Sequence, residues 1–167
     1  SQSRSGTIVK IVSVADAIGV QADGDTLVVH SAPLRKRSPF SAASRKLKGD
    51  RFMCASGAQA QSWADALRKS IAGNGKPGVS WLVLVNPVSG KRRGAKVLVD
   101  CRPYFEAAGV PLREVITTHA GHAGEIVASL DVSSVSAVVC VGGDGIVHEV
   151  VNALMARADA ARVAASL

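Results

Sequence analysis

The chain has 167 residues, a formal net charge of +7, 47% hydrophobic residues and only 4% aromatics. That length suits one ordinary domain, or one small domain with part of another. Its core must come from Val, Ala, Leu and Ile, and no apolar run approaches the ~18–20 residues that cross a bilayer. The opening "SQSRSGTIVK" has no initiator Met and no leader pattern, so no signal peptide is expected and the chain is expected to be a fragment or processed product. Cys54, Cys101 and Cys140 are far apart and form no CxxC pair. With Cys140 read as a small buried hydrophobe in "AVVCV", they fit a reducing, intracellular compartment.

The charge is uneven: residues 1–75 hold 11 Lys/Arg against 5 Asp/Glu, and the remainder 9 against 8. In chain order, "TIVKIVSV" (7–14), "TLVVHS" (26–31) and "DRFMCA" (50–55) read as short strands. Between them lie "LRKRS" (34–38) and "SRKLKGDR" (44–51). Such basic clusters suit an anionic membrane surface or another phosphate-bearing or acidic partner, or form a merely solvated loop. No aromatics interleave the charges, which argues against nucleic acid. "AQAQSWADALRKSI" (58–71) repeats Ala60, Trp63, Ala64, Leu67 and Ile71 at helical steps. It is expected to close a small β-module by plugging it with Trp63, an arrangement that resembles the end of a pleckstrin-homology-like domain.

"GNGKPG" (73–78) marks a boundary, giving a basic β-rich segment at 1–73, a linker at 74–79 and a second domain at 80–167. After it, "SWLVLVN" (80–86) reads as a strand buried on both faces. "KRRGAKVLVDCRPYFEAAG" (91–109) reads as a helix that Pro103 must kink or restart. "LREVITT" (112–118) is a strand, "HAGHAGEIVASL" (119–130) a helix, "SAVVCVGG" (136–143) a strand and "GIVHEVVNALMAR" (145–157) a helix. This alternation means an α/β fold with a parallel sheet. Ligands then bind at the carboxyl ends of the strands, where both "NPVSGK" and "GGDG" fall.

In "VNPVSGKRRG" a strand ends at Asn86, Pro87 fixes the turn, and Ser89-Gly90 opens toward a helix, followed by Lys91, Arg92 and Arg93. A glycine turn at a helix N-terminus with adjacent cations favours phosphate, although an ordinary polar connection has the same look. It is not a Walker A loop, nor is "GGDGIVHEVVNAL" a Rossmann fingerprint. The three glycines permit positive φ and close ligand approach. Asp144 among them suits a helix cap, a metal ligand or a proton acceptor. On the following helix His148, Asn152 and Met155 share one stripe with Glu149 beside it, while Ile146, Val150, Ala153 and Leu154 supply the packing face. The polar residues are either an exposed face or part of a site.

"VNPVSGK", "TTHAGHAGEIV" and "VCVGGDGIVHEVVNALM", in this order and spacing, resemble the catalytic domain of the diacylglycerol-kinase/sphingosine-kinase superfamily over about residues 80–160. "GGDG" alone would also suit NAD kinases, diacylglycerol kinases or ceramide kinases. Ile146 stands where NAD kinases and many diacylglycerol kinases have Thr, and "HEVVN" with "LM" is of the sphingosine (long-chain-base) kinase kind. "SWADALRKSI" is similar to the segment before the kinase domain in plant-type long-chain-base kinases.

The resemblance implies a Rossmann-like lipid-kinase domain that uses ATP, arriving with Mg²⁺, to phosphorylate the primary hydroxyl of a sphingoid base. Diacylglycerol or ceramide are the alternative substrates, and a truncated regulatory or membrane-binding module is the non-enzymatic alternative. It further implies that Asn86, Ser89, Gly90, Lys91 and Thr117 bind nucleotide, that Gly142, Gly143 and Gly145 shape the nucleotide turn, and that Glu149 contacts the nucleotide. Asp144 would be the general base, and no residue is assigned as a metal ligand. A cytoplasmic, peripherally membrane-associated protein is expected. Two departures stand out. Gly142 replaces a frequent Ser, and the chain stops at "ADAARVAASL" before the family's next strand, its Pro-x-Gly-[ST]-Gly-Asn loop and its β-rich second domain. The expectation is a nucleotide-binding half, poorly active or inactive alone.

Overall fold

The computed structural model describes residues 12–35, 44–71, 79–88 and 93–161. The chain divides into two units, Ser1–Gly73 and Asn74–Leu167; of the expected linker, 74–78 lies outside the described residues.

In the first unit, strands β1 (Ala17–Asp23), β2 (Thr26–Ser31) and β5 (Lys48–Met53) form an antiparallel sheet in the order β1-β2-β5. A two-residue pair, β3 (Leu34–Arg35) with β4 (Ser44–Arg45), stands beside it in sequence. The β1–β2 turn works because Gly24 adopts φ 58, the left-handed backbone that a two-residue hairpin loop needs. Helix α1 (Gly57–Ile71) starts on a capping pair: Ser56 Oγ accepts from the Gln59 N–H, and Gln59 Oε1 accepts from the Ala55 N–H. The expected strand at 26–31 and helix at 58–71 are observed; the strand at 50–55 sits two residues earlier. The strand at 7–14 is not observed in its described part. Residues 7–11 lie outside the described residues, Val14 opens a 3₁₀ turn, and the first strand is Ala17–Asp23. Small residues and a bulge next to Gly19 hide β1 from a propensity reading.

Trp63 also departs from expectation: it is 54% exposed, while Ala60 and Ala64 are fully buried. The buried stripe runs through residues 60, 64, 67 and 71. Trp63 lies one position off its centre, on the exposed flank, and the small Ala60 and Ala64 take the buried places.

The second unit has the expected α/β architecture. Strands β6 (Ser80–Val85), β7 (Leu112–Ile116) and β8 (Val135–Val141) form a parallel sheet in the order β7-β6-β8. β6 is central and buried on both faces. Leu82 and Leu84 join Ala123, Val127, Ile146 and Val150, whereas Val83 and Val85 pack with Leu98, Val139 and Val141. Each of these four β6 side chains is at most 1% exposed, a burial of about 1.5–3 kcal/mol apiece. The first cluster belongs to α3 (His122–Ala128) and α4 (Asp144–Met155), the second to α2 (Gly94–Ala107). Ile146, Val150, Ala153 and Leu154 face the core as expected.

Helix α2 is one continuous helix with Pro103 inside it, rather than two; residues 91–92 of the expected span lie outside the described residues. Pro103 removes the partner of the Val99 carbonyl. Both residues are exposed, Val99 at 63%, so the bond is lost on the solvent-facing side of the helix. Phe105 meets Trp81 edge-on at 5.6 Å and clamps the helix to β6. Helix α3 starts three residues later than expected, because Gly121 takes φ 87 and ends the preceding turn.

Candidate functional site at the carboxyl edge of the sheet

The strand order sets the site. From β6 the chain crosses to β7 on one side and then returns to β8 on the other. The carboxyl ends of β6 and β8 therefore flank a topological switch point, the place where open α/β sheets form a crevice. Hydrogen bonds continue the ladder past the strands: the Asn86 N–H donates to the Val141 carbonyl (2.9 Å) and the Thr117 N–H to the Val85 carbonyl (2.8 Å). The three turns that follow β7, β6 and β8 thus stand side by side, about 10 Å across two strand spacings.

The central turn is built by Asn86, whose Oδ1 accepts the Val88 N–H (3.0 Å), folding the chain back over Pro87. Ser89, Gly90 and Lys91 lie outside the described residues. Gly94, at the start of α2, comes against this turn: a Cβ there would lie 2.6 Å from the Asn86 carbonyl oxygen. Its sequence context, "KRRGAK", gave no sign of this contact.

On the β7 side, Thr117 is buried, and its hydroxyl also donates to the Val85 carbonyl (3.3 Å). The exposed group beside it is Thr118, whose hydroxyl lies 3.0 Å from His119 Nδ1 and 3.3 Å from His122 Nδ1. The sequence reading singled out Thr117 and passed over this neighbouring cluster.

On the β8 side, Gly142, Gly143 and Asp144 are exposed. Helix α4 begins at Asp144 rather than Gly145, with Gly143 as its N-cap. Asp144 is therefore the first helical residue, and its Oδ1 accepts the Gly145 N–H (3.0 Å). Gly143 has φ −88 and ψ −170, an extended backbone open to any residue, and Gly145 is not among the positive-φ glycines. A Cβ at either would meet nothing within 4 Å. Neither backbone strain nor internal packing requires these glycines; what they leave is open space at the edge.

Glu149 is half-buried farther along α4, and His148 and Asn152 are exposed and hydrogen-bonded to each other (3.1 Å). Met155, in the same stripe, is 70% exposed. Cys140 is half-buried rather than buried, and desolvation pushes its thiol up. It lines a cavity of about 350 Å³ beneath α2 with Val83, Leu98, Cys101, Phe105 and Val139. That cavity is mainly apolar and includes neither Asp144 nor Glu149, but Arg93, Gly94 and Gly142 also line it, so it extends to the carboxyl edge of the sheet. Among the described residues no group of three or more His, Cys, Asp or Glu is placed to hold a metal ion.

A family model for the diacylglycerol kinase catalytic domain matches residues 80–165, the whole of the parallel-sheet unit from β6 onward. The chain is 42% identical over 98 residues to sphingosine kinase 1 of Arabidopsis thaliana, covering 58% of this chain and 20% of that protein. It is 44% identical over 98 residues to sphingosine kinase 2 of the same plant, with the same coverage. Ceramide kinase of Oryza sativa subsp. japonica is 35% identical over 98 residues, 57% of this chain and 16% of that protein. The chain spans about a fifth of the length of the first two of these curated relatives. Because the family match covers more than half of its residues and lies on the unit that carries the three-turn edge, the chain belongs to the diacylglycerol kinase catalytic domain family.

Proposed function

We propose that this chain supplies the nucleotide-binding part of an ATP-dependent lipid kinase that phosphorylates the primary hydroxyl of a sphingoid base. The observation that carries the reading is the alignment of three turns at one sheet edge through the Asn86–Val141 and Thr117–Val85 hydrogen bonds. Similarity to two sphingosine kinases at 42% and 44% identity favours a sphingoid base over ceramide, whose rice kinase stands at 35%.

The edge fits a polyphosphate. Gly143 and Gly145 leave room that a Cβ would fill, and α4, 12 residues long, points its N-terminal N–H groups there. In the proposed roles Asn86 and Gly90 with Ser89 and Lys91 cradle phosphate, Thr117 anchors the adjoining turn, and Gly142, Gly143 and Gly145 admit the nucleotide. Glu149 contacts the nucleotide from α4. When bound with ATP, Mg²⁺ would neutralise phosphate charge; with Asp144 as the one acid among the three turns, the nucleotide itself would supply most of its ligands. Asp144 is an exposed carboxylate at the mouth of the crevice and would take the proton of the attacking hydroxyl. Exposed Arg35, Lys46, Lys48 and Arg51, within basic residues 34–51, would hold the protein at an anionic membrane surface. No helix of the described residues is long and apolar enough to cross a membrane.

The test is Asp144→Asn in the intact protein. Phosphate transfer from ATP to sphingosine should fall at least about 10²-fold, with ATP affinity within about threefold of wild type. Undiminished transfer would remove Asp144 from the chemistry.

A further inference from the structure

The turn between β7 and α3 carries a hydrogen bond that no pattern in the sequence announces. The Thr118 backbone N–H donates to His122 Nδ1 at 3.1 Å. We propose that His122 is a positioning residue whose Nδ1 lone pair closes the Thr117–Gly121 turn, so that a proton on that nitrogen releases the Thr118 edge of the site. The effect on nucleotide binding rests on the function proposed above; the closure of the turn does not.

A backbone N–H can only donate, so the bond requires Nδ1 to be unprotonated and the ring to be the neutral Nε2–H tautomer. His119 is placed differently. Its Nε2 lies 3.2 Å from both carboxylate oxygens of Glu125, and its Nδ1 lies 3.0 Å from the Thr118 hydroxyl, which can donate or accept. A proton on His119 therefore costs none of its contacts, whereas one on His122 sets two donors against each other. The two rings are stacked at 4.8 Å and 18°, so a second proton would also face the first across that distance. Helix α4, packed on α3, carries Asp144, His148 and Glu149, and β7 carries Arg113 and Glu114. Among the described residues none of these hydrogen-bonds to either imidazole; Glu114 is paired with Arg102 at 2.7 Å. Glu125 is thus the acid that takes part, and it supports His119 rather than His122.

The consequence is a site edge that holds its shape while His122 is neutral. Thr117 is fixed by its two hydrogen bonds to the Val85 carbonyl, so only the segment after it is free to open.

The 167-residue chain, with ATP as the probe, gives two readouts: ATP affinity and hydrogen exchange at the Thr118 amide. His122→Leu removes the acceptor and should weaken ATP binding about three- to tenfold. The Thr118 amide should then exchange at least about tenfold faster. His122→Asn places Oδ1 where Nδ1 was, without a titrating ring, and should keep both readouts within about twofold of wild type. As pH is lowered, wild type should lose affinity more steeply than His122→Asn, which has no ring to protonate; protonation of ATP itself is common to both. Thr118 exchange unchanged in His122→Leu, or equal losses in the Leu and Asn variants, or parallel pH profiles, would overturn the proposal. Failure of wild type to bind ATP at any pH would instead refute the nucleotide reading, and the Thr118 exchange rates would still decide the role of His122.

Discussion

Gly94→Ala is the sharpest stability prediction, because one added atom meets main chain. The new Cβ would lie 2.6 Å from the Asn86 carbonyl oxygen and 3.4 Å from Val85 Cγ1. Carbon–oxygen contacts settle no closer than about 3.3 Å, so the oxygen or the helix must retreat by roughly 0.7 Å. Asn86 cannot turn aside as a flexible side chain would, since its N–H is bound to the Val141 carbonyl at 2.9 Å. Overpacking of this kind costs about 1–3 kcal/mol. Replacing a helical glycine returns up to about 1 kcal/mol, leaving a net loss of about 1–2 kcal/mol. For a unit of this size that is a fall of about 5–15 °C in the unfolding midpoint, and displacement of Asn86 should weaken ATP binding at least about tenfold. Gly124→Ala is the matched control. There a Cβ would find the Glu149 carbonyl oxygen at 3.5 Å and Ala153 Cβ at 3.8 Å, both ordinary contacts. Helix propensity acts alone at that position, and the chain should gain up to about 1 kcal/mol. Urea unfolding followed by far-UV circular dichroism measures both. If Gly94→Ala were as stable as wild type and bound ATP as well, the close approach of α2 to the Asn86 turn would be wrong.

Two further outcomes follow from the same geometry. Burial raises the Cys140 thiol above its ordinary value, and thiolate is the reactive form. Iodoacetamide at about pH 8 should therefore alkylate exposed Cys101 well before Cys140, with the Cys140 rate still climbing above the ordinary thiol range. Equal rates by mass spectrometry would contradict that placement. Reversing Arg35, Lys46 and Lys48 to Glu should reduce co-sedimentation with phosphatidylserine vesicles at least about tenfold at low salt, and wild-type binding should fall as salt is raised. Sedimentation that is indifferent to both changes would argue against a membrane-facing basic segment.

How far the sequence could be read depended on whether a residue's role was a pattern or a distance. β6 was legible because burial on both faces makes "SWLVLV" a continuous apolar run, and the alternation of strands and helices followed from it. β1 was not, since "AIGVQAD" is a strand only through its pairing with β2 across the Gly24 turn. The α1 stripe was visible, but not its centre: hydrophobicity ranks Trp63 above Ala60 and Ala64, whereas burial ranks them the other way. Pro103 does not restart the helix, and it stands on an exposed face with Val99 one turn before it. At the candidate site, Asn86 and "GGDG" were visible as turn chemistry. Gly94 and His122 were not, because each matters through a single contact made across the fold, at 2.6 Å for the would-be Cβ and 3.1 Å for Nδ1.

The glycines around Asp144 had two possible reasons, and the structure separates them. Positive φ and close ligand approach were the two expected reasons for them, and the first does not hold: Gly143 is extended and Gly145 sits in the first turn of α4. Packing offers no other reason, as a side chain at either position would enter empty space. Gly94 is demanded by its own fold; Gly143 and Gly145 are not. Under the function proposed above, the open space beside Asp144 is what a nucleotide would occupy, so Gly143→Ala should weaken ATP binding without lowering stability, and unchanged binding would remove that role.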